Sequence, residues 1–156
     1  MNKFQLTTNS KVSKARTPLQ DGEYQATIKT LCLSATTMDA DTLAVIEEVN
    51  DLRPGTITLD TAKDANPYIL FNITSEERDT RFYINSDTAL DIITSNLNRQ
   101  LDIDPEDKGF FEWFADVAGA TVTLWLLTTT ASDGKQYQNV TPYKPTGFDD
   151  IMNGAL

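Results

Sequence analysis

The chain has 156 residues, 40% of them apolar, which suits one domain that buries about 68–70% of the surface exposed by its unfolded form. No stretch approaches the ~18 consecutive apolar residues of a membrane span, the first twenty residues lack the apolar run of a signal peptide, and a lone cysteine, Cys32, cannot form an internal disulfide. There is no histidine and the net charge is −10, which removes imidazole acid–base chemistry, Ser-His-Asp and Cys-His nucleophiles and His/Cys zinc sites. A cytoplasmic, non-enzymatic protein without metal or cofactor is the expectation.

Residues 1–20 are polar, carry Lys3, Lys11, Lys14 and Arg16 with no acid, and end at Thr17-Pro18; they read as a flexible basic N-terminal arm of charge +4 before a body of charge −14. A folded domain is expected over 21–145. Asp21-Gly22 signals a turn, and 23–33 (EYQATIKTLCL) alternates as a strand, with Tyr24, Ala26 and Ile28 on one face and Lys29 on the other. Cys32 lies in an apolar run and reads as a buried, inert thiol. Leu43, Ile46 and Val49 have helical spacing near 40–50, Arg53-Pro54-Gly55 breaks the helix, and 56–59 suits a brief strand. Asp39, Asp41, Glu47 and Glu48 read as solvated charge rather than a Mg²⁺ site.

PYILFNITS (67–75), EERD (76–79) and TRFYIN (80–85) read as a hairpin with a four-residue polar turn. One face carries Ile69, Phe71, Ile73, Phe82 and Ile84; the other mixes Tyr68, Leu70, Asn72, Arg81, Tyr83 and Asn85. Two helices follow. Ser86 or Asp87 caps the first, with a stripe of Leu90, Ile93, Leu97 and Leu101. Asp104-Pro105-Glu106 predicts the start of the second, whose Phe110, Trp113, Phe114 and Val117 form a stripe, ended by Gly119, that reads as core in preference to a docking surface. A second hairpin, ATVTLWLLTTT and QYQNVTPY around Asp133-Gly134, closes at Pro142 and Pro145. Residues 146–156 form an acidic C-terminal tail in which Phe148 and Ile151 flank Asp149 and Asp150.

The fold class expected is mainly β with two or three helices: a five-stranded OB-fold-like barrel with a helical connection between strands 3 and 4. An α+β sandwich and a small barrel of another topology share the same element order.

The final hairpin, GATVTLWLLTTTASDGKQYQNVTPYKP, resembles the closing strands of single-stranded-DNA-binding proteins of phages and conjugative plasmids of Gram-positive bacteria, and the opening GEYQATI resembles their first strand. The resemblance covers roughly 35 residues at the two ends and implies an OB-fold, sequence-independent binding of single strands, self-association and no catalysis. It suggests service in replication, recombination or conjugative transfer of a mobile element.

Such binding needs cations along the phosphates and exposed rings for the bases. The candidate rings are Tyr83, Tyr137 and Trp125; the candidate cations are Lys29, Arg81, Lys135, Lys11, Lys14 and Arg16. Each has a plainer role: half-buried packing for the rings, pairing with Glu76, Glu77 or Asp79 for Arg81, and solubility for the arm. The arm also suits docking on an acidic neighbouring copy in a homo-oligomer, and the tail suits recruitment of replication or transfer proteins. Two rival functions fit the composition: an acidic interaction protein that mimics DNA, and a structural component of a phage particle.

Overall fold

The computed structural model describes residues 19–60, 66–104 and 108–154. Lys11, Lys14 and Arg16 therefore lie outside the described residues. Six strands form one curled sheet: β1 (Gly22–Ser34), β2 (Ile57–Asp60), β3 (Tyr68–Ile73), β4 (Arg78–Tyr83), β5 (Thr121–Thr130) and β6 (Gln136–Thr141). The order is β4-β3-β1-β5-β6, antiparallel throughout, with β2 added parallel to β1. Helices α1 (Ala40–Leu52), α2 (Asp87–Leu101), α3 (Phe110–Val117) and α4 (Phe148–Met152) complete it, with α2 and α3 between β4 and β5. Leaving β2 aside, this is the strand order and helix placement of a partly open OB-like barrel.

The bend in β1 makes the curl possible. Its register against β3 shifts between Ile28 and Thr30, the two-against-one count of a bulge, which bends a strand. Before the bend, β1 pairs with β5; beyond it the same edge pairs with β2. The handover sits at Ile28, which donates its N–H to Ala120 and accepts from the N–H of Gly119. Gly119 holds φ +88° there, a conformation that costs glycine nothing.

The core is one cluster. Ile28, Ile69, Phe71, Ile73, Leu124 and Leu126 from the strands meet Ile93, Leu97, Phe114 and Val117 from the helices, all fully buried. Alternation explains the strand contribution: Ile69, Phe71 and Ile73 are buried while Tyr68, Leu70 and Asn72 remain half-exposed. α1 lies against α3 and β2, and Asn50 ties it there by donating to the carbonyl of Ile57 and accepting from the same residue's N–H, both at 2.9 Å.

Three details differ from the sequence expectations. The first hairpin turns at 74–77 rather than 76–79, because Thr74–Glu76 forms a 3-10 turn and Glu77 takes a left-handed φ of 49°. α3 begins at Phe110 with Gly109 as N-cap, not at Asp104, and Pro105-Glu106 lie outside the described residues. Residues 148–152 of the expected tail form α4, with Phe148 buried and Lys144 paired to Asp149. Phe148 is thereby withdrawn from any partner, while Ile151 and Met152 stay exposed.

Candidate nucleic-acid interface

The register of β3 and β4 places Tyr68 opposite Tyr83, Leu70 opposite Arg81 and Asn72 opposite Asp79. On this outer face the Arg81 guanidinium lies 4.4 Å from the centroid of the Tyr68 ring, while its Nη1 donates to the Tyr83 hydroxyl at 3.3 Å. The two tyrosine rings are 5.4 Å apart and tilted by 56°. Hydrogen bonding to Tyr83 raises the pKa of Arg81 above its ordinary value, so the group stays charged. A hydrogen bond with Cys32, followed by burial, raises the pKa of Tyr68, so that phenol stays neutral. Among the described residues no carboxylate pairs with Arg81, so the plainer role of pairing with Glu76, Glu77 or Asp79 is not taken up.

From this triad a cleft of about 520 Å³ opens across the barrel seam between β4 and β6. Arg81 and Tyr83 line one side, and Asn139, Thr141 and Tyr143 the other. Tyr83, Tyr137 and Tyr143 are exposed by 46%, 52% and 38%, which makes them the candidate stacking rings of this surface. Asn139 donates from Nδ2 to Thr129 Oγ1 at 2.9 Å.

The other candidates are dispersed. Tyr137 stands opposite Thr129 on the face shared with Asn139, beyond the cleft lining. Lys135 follows the turn at Gly134, and its side chain has no ion pair among the described residues. Lys29 is engaged with Asp79 at 3.2 Å, an ion pair about half exposed on both sides, while Asp79 also accepts from Asn72. Trp125 is half-buried and donates from Nε1 to Glu23 at 3.0 Å; it does not line the cleft.

Tyr68 and Tyr143 did not emerge from the sequence as site residues. The alternation of 67–75 already put Tyr68 on the outer face, but only the register sets it against Tyr83. Tyr143 follows Pro142, where the strand pattern stops, and its position depends on closure of the seam.

The fold and this face define an OB-like barrel whose outer β3–β4 face presents Arg81 between two tyrosines. No protein-family model matches the sequence, and a search of the curated proteins finds no match. Among the described residues no helix is long and apolar enough to cross a membrane.

Proposed function

We propose that this protein binds single-stranded DNA without reading its sequence, using the outer face of β3 and β4 and the seam cleft, in the replication, recombination or transfer of a mobile element. The observation that carries this reading is Arg81. In a chain with 23 acidic and 13 basic residues, an exposed guanidinium held between two tyrosines, with no carboxylate partner among the described residues, is available to a phosphate. Tyr83, Tyr137 and Tyr143 supply stacking faces worth about 1–3 kcal/mol per base. The likeness of the end segments to mobile-element single-strand binders supports the same reading. The protein acts by holding the strand and performs no chemistry on it.

Anisotropy of a labelled oligothymidine tests this. Binding is expected to weaken with salt along a shallow slope, since a single strand releases about 0.7 counterion per phosphate contacted and few cations face the cleft. Tyr83→Ala with Tyr137→Ala is expected to weaken binding at least about fivefold, the loss of about 1 kcal/mol, and Tyr143→Ala to do so alone. Lys29→Gln is expected to leave affinity near native. No binding by the native chain at low salt refutes the function; normal binding by the double variant refutes the site.

A further inference from the structure

A second cavity, of about 490 Å³, opens between α2 and α3. Its wall is aromatic: the Phe110 and Trp113 rings stack with centroids 5.6 Å apart and planes 26° apart. Trp113 is fixed by donating from Nε1 to Asn98 Oδ1 at 2.7 Å. Its rim is acidic, formed by Asp91, Asp104 and Asp116, with Lys108 as the opposing charge. Lys108 pairs with Asp116 at 2.7 Å, whereas Asp91 and Asp104 have no cationic partner among the described residues. An aromatic wall with two uncompensated carboxylates attracts an organic cation, through the ring face and through Coulomb attraction, and repels phosphate.

The chain carries its own complement. Residues 1–18 hold Lys3, Lys11, Lys14 and Arg16 and no acid. They join the body at Leu19, whose carbonyl accepts from Gln138 on β6, and the far end of that strand is bound to α2 through Gln100 and Pro142. The four residues from 138 to 142 span about 13 Å of strand. Lys11, eight residues before Leu19, reaches up to about 28 Å from it. We infer that the cavity between α2 and α3 is the docking site of the basic segment 1–18, with a lysine or arginine side chain set against Phe110 and Trp113 and between Asp91 and Asp104. The lining of this cavity shares no residue with the β3–β4 cleft.

The chain has two tryptophans, so its NMR spectrum contains two indole N–H signals, which Trp125→Phe distinguishes. In the full-length chain bearing Lys11→Gln, Lys14→Gln and Arg16→Gln, the Trp113 signal is expected to move while the Trp125 signal stays. Adding a synthetic peptide of residues 1–18 is expected to return it. Asp91→Asn with Asp104→Asn is expected to weaken that peptide at least about fivefold, a loss near 1 kcal/mol. Once the triple variant has moved the Trp113 signal, dependence of the native signal on protein concentration assigns the segment to a second copy, and independence assigns it to the same chain. An unchanged Trp113 signal in the triple variant, equal movement of both indoles, or undiminished peptide binding by the double variant overturns it.

Discussion

Gln100 offers a quantitative test of how α2 holds the barrel. Its Nε2 donates to the carbonyls of Thr123 and Pro142, both at 2.9 Å, and its Oε1 accepts from the N–H of Thr123 at 2.6 Å. β6 pairs with β5 as far as Thr141 opposite Trp125, and Pro142, having no N–H, cannot extend the ladder. The side-chain amide of Gln100 takes the place of the missing strand. Gln100→Ala removes three hydrogen bonds and leaves one N–H and two carbonyls without them. The site is only part-buried, so water partly compensates, and the low end of the range, about 1 kcal/mol per group, gives about 3 kcal/mol. At about 2–4 °C per kcal/mol for a chain of this size, Tm falls by about 6–12 °C. Urea unfolding followed by circular dichroism measures the loss, with an unchanged slope against denaturant showing that the unfolding surface is the same. Gln25→Ala, which removes one exposed bond to Thr123 Oγ1, serves as control and is expected to stay within about 0.5 kcal/mol of native. A loss below about 1 kcal/mol for Gln100→Ala refutes the strand-substitute role.

Two further outcomes follow from local hydrogen bonding. Ser86 caps α2 by accepting from the N–H of Ala89 at 3.1 Å, so Ser86→Ala is expected to cost about 1 kcal/mol in urea unfolding. Burial opposes ionisation of Asp21, but the bonds it accepts from the Thr128 N–H, Gln138 and the Thr128 hydroxyl outweigh it and hold its pKa below the ordinary 3.8. Its stabilising contribution is therefore complete above 3.8 and lost as pH falls through the lower folded value. Asp21→Asn is expected to lower stability near neutral pH and to flatten the acid limb of a stability–pH profile; an acid limb as steep as native counts against it.

Local patterns in the sequence carried most of the elements. Alternation in 67–73 marked which face of β3 is core, because successive side chains of a strand must point to opposite sides. Helical spacing found the α2 and α3 stripes, and the sequence narrowed the α2 cap to Ser86 or Asp87, of which Ser86 is the one used. The brief strand after Arg53-Pro54-Gly55 was also legible, but not that it runs parallel to β1, since pairing depends on a bulge some thirty residues away.

The site was legible as composition and not as assembly. Arg81 and Tyr83 could be placed on one face from their spacing alone. That Arg81 lies over Tyr68, that Lys29 is spent on Asp79 and Trp125 on Glu23, and that Tyr143 and Tyr83 line one cleft are consequences of register and closure. The sequence by itself determined the element types, the core faces and the charge asymmetry between arm and body, because each is set by neighbours within a few residues. Only the tertiary structure decided which cations keep a free charge and which rings share a cleft, because those contacts join residues far apart in the chain whose partners the local pattern leaves open.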